Sequence, residues 1–164
     1  MKCPCGAIIK LDGKNIVADY NVCCEPFHTN QASPGTAEQL MRSRYSAYAL
    51  EKAQYVYDTY HSRQQVNLDV KELADWANQT TWLHLSVEDA SQSTVTFVAT
   101  YAESGQLFQI KEHSRFEHED GRWKYVDGDI AYHEQLAKPK RNATCPCQSG
   151  KKLKQCCGVK SRLI

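Results

Sequence analysis

No apolar run in this chain approaches the roughly 18 residues that a transmembrane helix needs. The opening MKCPCGAIIKLDGK has a basic residue but no apolar core of about 7–15 residues, so no secretory signal is expected there. The sequence holds no phosphate-cradling glycine loop, no nucleophile elbow and no dinucleotide fingerprint. Acidic residues are missing from Lys138 to Ile164, and cysteine is missing between Cys24 and Cys145. These absences argue against a membrane protein, a secreted one and the common nucleotide-dependent enzymes. They point to the cytoplasm, where thiols stay reduced and disulfides are rare.

The 164 residues, 41% hydrophobic and 24% charged, suit one globular domain with small appendages. The net charge of +1 conceals an uneven distribution. Residues 36–137 carry nine basic and sixteen acidic side chains, whereas residues 138–164 carry eight basic ones. A basic tail on an acidic body suggests contact with something anionic, although such a tail is also simply soluble.

The cysteines fall in two clusters with a shared pattern. Cys145 and Cys147 flank one proline, and Cys156 and Cys157 follow after eight residues. Cys3 and Cys5 repeat the first half, and Cys23 and Cys24 follow after seventeen. Four thiolates match the tetrahedral preference of zinc, and a closed Cys₄ shell leaves no open position, so the expected role is structural. Disulfides or an iron–sulfur cluster fit the spacing and compartment less well. Ser149 is expected to cap a short helix over Lys151–Gln155, with Gly158 ending it. The longer N-terminal spacing leaves room for a small hairpin around LDGKN, because loop length costs little free energy. Two zinc ions are expected, one at each cluster. His28 is a spare ligand candidate, with a surface position favoured for it.

CPCQSGKKLKQCCG resembles the SEC-C motif, the zinc-binding element named after the C-terminus of the translocation ATPase SecA. Gln148 stands where that motif often has glycine, and Leu153 where it often has an aromatic residue. In SecA the element engages the chaperone SecB and the ribosome. The resemblance therefore implies a chaperone or ribosomal partner, the latter through ribosomal RNA, with Lys151, Lys152 and Lys154 as the contact face.

Between the clusters the periodicity is regular. Thr36 and Gln39 form a capping-box signature ahead of a helix with Ala37, Met41, Tyr45 and Tyr48 on one face. Glu38 and Arg42 can pair along it. EKAQYVYDTYHS continues as a second helix, and Asp69 caps a third, DVKELADWANQ. The period then changes to two. WLHLSVEDA, STVTFVATYAE, QLFQIKEHSRFEHE and RWKYVDGDIAY read as strands separated by SQ, SG and DG turns. Helices followed by a strand meander predict an α+β domain, with helices on one face of an antiparallel sheet.

LMRSRYSAYAL and EHSRFEHEDGRWKYVDGD resemble the YchJ-like family of bacterial proteins. The resemblance implies an NTF2-like cone of three helices on a bent sheet, flanked by SEC-C segments. The expected boundaries are 1–34 for the first cysteine segment, 35–135 for the cone, 136–144 for a linker and 145–164 for the second segment.

Glu112 alternates onto the apolar face of its strand, as a lone carboxylate. Arg44, Tyr45, Tyr48, Trp123 and Asp127 are candidates to share a pocket with it. A structural pair between Glu112 and Arg44 or Arg115 is favoured over a catalytic base. His84 and His113 lack a partner at any diagnostic spacing, so no catalytic set is assigned. Three readings follow. The first is a zinc-stabilised interaction protein. The second is an enzyme or small-molecule binder using the pocket around Glu112. The third is metal or redox sensing through the cysteines.

Overall fold

Thr36 holds the start of the main helix by accepting the Gln39 backbone N–H at 3.1 Å through its hydroxyl. Gln39 reaches back, but to the Gly35 N–H at 2.7 Å, one residue before the cap. The computed structural model describes residues 1–159, so Lys160 and Arg162 of the basic tail lie outside the described residues. An N-terminal hairpin, β1 (Ile8–Leu11) and β2 (Lys14–Val17), precedes the single-turn helix α1 (Glu25–His28). The main helix α2 (Ala37–Ala49) follows, then α3 (Ala53–Asp58), the single turn α4 (Ser62–Gln65) and α5 (Val70–Gln79). The remaining strands are β3 (Thr80–Ala90), β4 (Thr94–Glu103), β5 (Gln106–Glu119) and β6 (Arg122–Leu136). These four pair antiparallel in chain order.

Turn chemistry sets that order. Ser104–Gly105 and Asp120–Gly121 both take positive φ at both residues, as a two-residue hairpin turn of the right twist requires. Two register shifts in the β3–β4 pairing and two in β5–β6 bend the sheet. Helix α2 lies across the concave face, burying Ala37, Leu40, Met41 and Tyr45 against Leu85, Val95, Ala99 and Phe116. The α+β expectation therefore holds, with a bent four-stranded sheet under α2.

Helix α2 is buried on more than its apolar stripe. Ser43, Arg44 and Ser46 are also inside. Each polar group needs a partner there. Arg44 donates to the Val56 carbonyl and the Thr59 hydroxyl, both at 2.7 Å. Its guanidinium lies over the rings of Tyr60 and Tyr125, at 4.2 and 4.7 Å. Those rings are held by backbone pairing, since His61 N–H donates to Tyr125 O and Tyr125 N–H to Thr59 O.

Candidate functional site

Each cysteine cluster is built by the same backbone frame. At the N-terminus the Gly6 N–H closes a turn onto Cys3 O at 3.1 Å, and at the C-terminus the Gln148 N–H closes one onto Cys145 O at 3.0 Å. Cys3 N–H donates to Ala18 O, five residues before Cys23; Cys145 N–H donates to Lys151 O, five before Cys156. Short bridges Lys2–Asp19 and Thr144–Lys152 occupy matching places. A 3₁₀ turn then delivers each vicinal pair, Tyr20–Val22 before Cys23 and Leu153–Gln155 before Cys156. Tyr20 and Leu153 are the buried residues of those turns. The extra length at the N-terminus is the β1–β2 hairpin, turned at Asp12–Gly13 and closed by Ala18 N–H to Ala7 O at 2.8 Å.

The ligand atoms converge. The four sulfurs of each cluster all lie within 4.8 Å of one another, and either set could hold a metal ion. Neighbouring sulfurs are 3.6 and 3.8 Å apart in the first cluster and 3.3, 3.5 and 3.9 Å in the second. A tetrahedral ion with sulfur at about 2.3 Å would set its ligands about 3.8 Å apart, so both sets fit one with little movement. All eight cysteines are free thiols, and none forms a disulfide.

Crowding shows in their acidity. Cys3 and Cys5 are pulled below the ordinary thiol range, first by hydrogen bonding with Cys23 and then with Cys24. Cys24 is pushed far above it, first by Cys23 and then by Cys3, Cys5 and burial. Cys157 is also pushed up, first by burial and then by Cys145 and Cys147. Four adjacent sulfurs become thiolates together only when a cation shares their charge.

The two centres differ in their surroundings. Cys3, Cys5 and Cys24 are members of the main core, packed with Tyr20, Ala37, Leu40 and Met41. Cys3 Sγ lies 3.4 Å from Ser46 Oγ, and Arg42 donates to Cys5 O at 3.1 Å. His28 is a half-buried buttress here, with both ring nitrogens engaged, and not a ligand. Its Nε2 donates to Ser43 O at 2.9 Å, so Nδ1 accepts from the Tyr20 hydroxyl at 2.8 Å. Its pKa is lowered, chiefly by burial.

The C-terminal centre sits on the opposite face of the sheet, where Cys157 packs against Ala102 and Leu107. The expected helix over Lys151–Gln155 is absent. Lys152 pairs with Thr144 in extended conformation, and only Leu153–Gln155 turns. Ser149 contacts Cys156 Sγ at 3.2 Å. Gly158 is needed for close packing, since a Cβ there would lie 2.7 Å from Leu153 O. Lys151, Lys152 and Lys154 are all exposed.

A cavity of about 520 Å³ lies between α2, α5 and the sheet. Arg44, Tyr45, Tyr48 and Glu112 line it, as the sequence suggested, together with Tyr60, Trp76, Trp82, Tyr101 and Tyr125. Glu112 Oε1 accepts from the Ser114 hydroxyl at 2.6 Å and the Tyr125 hydroxyl at 2.9 Å. The expected ion pair with Arg44 or Arg115 does not form. Arg44 is engaged by Val56 and Thr59, and Arg115 pairs with Asp127 and Asp129 on the solvent side. Trp123 and Asp127 do not reach the cavity. Trp123 donates to Gly35 O and lines a separate trough. Asp127 sits opposite Arg115 because β6 carries an extra residue, Val126, which reverses the alternation. The wall from α5 and β3, Trp76 and Trp82, was readable only as core aromatics, since cavity and core share one pattern.

Comparison with known proteins agrees with this architecture. Residues 36–128 match the family model described as the YchJ middle NTF2-like domain. The chain belongs to the YchJ family. Residues 141–158 match the SEC-C motif. Among YchJ relatives, a UPF0225 protein of Actinobacillus succinogenes is 41% identical over 148 residues, covering 86% of this chain and 92% of that one. The UPF0225 protein YchJ of Shigella dysenteriae is 38% identical over 165 residues, covering 95% and 97%. Two solved structures are similar. A SEC-C motif-containing protein from Psychrobacter arcticus has a TM-score of 0.63 at 30% identity, over 97% of this chain and 96% of that one. Another, from Rhodopseudomonas palustris, has 0.67 at 31%, over 80% and 100%. Among the described residues, no helix is long and apolar enough to cross a membrane.

Proposed function

We propose that this YchJ-family chain is a cytoplasmic zinc protein with one structural centre and one docking centre. Zinc suits four thiolates in a closed tetrahedral shell, and it is redox-inert. A closed shell leaves no coordination position for substrate, so each ion stabilises a short segment that lacks a core of its own.

The observation that carries this reading is the divergence of two identical frames. The N-terminal frame is built into the core. At the positions matching Lys151, Lys152 and Lys154 it has Ala18, Asp19 and Asn21, and Asp19 is tied to Lys2 at 3.2 Å. The C-terminal frame keeps three exposed lysines around its centre, with Lys138, Lys140 and Arg141 exposed on the preceding segment. Such a surface attracts an anionic partner, an acidic chaperone face or ribosomal RNA.

Elemental analysis under reducing conditions should give two zinc ions per chain and no titratable thiol. Sedimentation with ribosomes and capture on SecB, each across a salt series, should show binding that weakens steeply with salt. A K151E/K152E/K154E variant should lose it while keeping both zinc ions. Absence of binding to either partner at low salt would overturn the docking role.

A further inference from the structure

We infer that the cavity behind α2 binds a small organic cation, an amine or alkylammonium with an apolar body. This inference is independent of the zinc centres and their partner. The cavity, at about 520 Å³, has the size of a small-molecule site.

Its inner carboxylate is fixed and uncompensated. Two hydroxyls hold Glu112 Oε1, and Oε2 has no partner among the described residues. No ion pair with a basic side chain forms there among the described residues; the basic side chains nearby are committed elsewhere. Asp69, Glu72 and Glu103 add the same sign to the lining. The one guanidinium in it, Arg44, is already met by a carbonyl, a hydroxyl and two aromatic faces.

The opposite wall is aromatic. Trp82 contacts Tyr48, Trp76 and Tyr101 with ring centroids 5.7, 5.3 and 5.3 Å away. Aromatic faces attract cations through their quadrupoles, most strongly when water is excluded.

These features discriminate by charge. An ammonium group sets its positive charge against the Glu112 carboxylate and places its apolar part on the tryptophans. A neutral ligand of the same shape takes water from the carboxylate and brings no charge to offset it, which is costly. An anion meets four carboxylates and one occupied arginine.

The test is a tryptophan-fluorescence titration of the full chain with three probes sharing one ring. They are benzyltrimethylammonium, benzyl alcohol and benzenesulfonate. The cation should give a saturable change at least about ten-fold tighter than the other two. Glu112→Gln should weaken the cation by about ten-fold and leave the alcohol unchanged. Trp76→Ala, at a residue already 37% exposed, should weaken the cation several-fold without disturbing the fold. The three probes on the unmodified chain decide the question even where Glu112→Gln fails to fold. Equal affinity for all three, preference for the sulfonate, or no saturable change with any probe would overturn the inference.

Discussion

The carboxylate of Glu112 occupies the space that a side chain on Gly128 would need. A Cβ at residue 128 would come 2.8 Å from Glu112 Cγ and 2.6 Å from its carboxyl carbon. Strand β6 is therefore bare at that point because β5 lays a long side chain over it. The hydroxyls of Ser114 and Tyr125 then hold the carboxylate down.

Gly128→Ala should force that carboxylate off both hydroxyls. The expected cost is about 1–3 kcal/mol, the range for overpacking an interior. Shortening the obstacle should remove most of it, so Gly128→Ala should be nearly neutral when Glu112→Ala is already present. Urea denaturation of the two single variants and the double variant measures the coupling. Strict additivity would contradict the steric account.

Stability should depend on pH through His28. Its neutral ring bridges Ser43 O and the Tyr20 hydroxyl, and burial lowers its pKa below the usual 6.5. The unfolded chain then binds a proton that the folded chain resists. The contribution is complete above about pH 6.5 and declines as pH falls below it. Denaturation of wild type and His28→Gln between pH 8 and 5.5, roughly the titration range of histidine, isolates this effect from protonation of the thiolates common to both. Parallel pH profiles would count against it.

The two cysteine frames carry different residues at one left-handed position. Gln148 has φ +56°, and the matching position in the first frame is Gly6, at +67°. A left-handed conformation costs a non-glycine residue about 1–2 kcal/mol, partly offset by the greater chain entropy of glycine. Gln148→Gly should therefore tighten the C-terminal centre by about 0.5 kcal/mol. Slower extraction of the second metal by a chelator is the expected sign. Unchanged or faster extraction would refute the strain argument.

Much of this was legible in the chain. Thr36 announced the start of α2, Ser104–Gly105 and Asp120–Gly121 announced the hairpins, and alternation placed Glu112 inward. Local chemistry decides each of those features. What escaped depends on distant partners. The burial of Arg44 needs the carbonyl of Val56 and two rings from other elements. The outward turn of Asp127 needs an extra residue in β6, which strict alternation cannot foresee. The extended backbone at Lys152 needs its bridge to Thr144. Leu153 looked like a departure from the motif, but the buried Tyr20 shows that either side chain can plug the same turn.

Tyr101 and Ala102 are consecutive residues of β4, and they face opposite ways. Tyr101 forms a wall of the cavity, while Ala102 is the seat for Cys157. The strand is thus a bulkhead between two compartments. A molecule held against Tyr101 would lie one residue from the seat of the lysine-bearing module. Lifting that module off Ala102 would bare the rear of the same partition. The cavity and the seat of Cys157 therefore share one strand as their common wall.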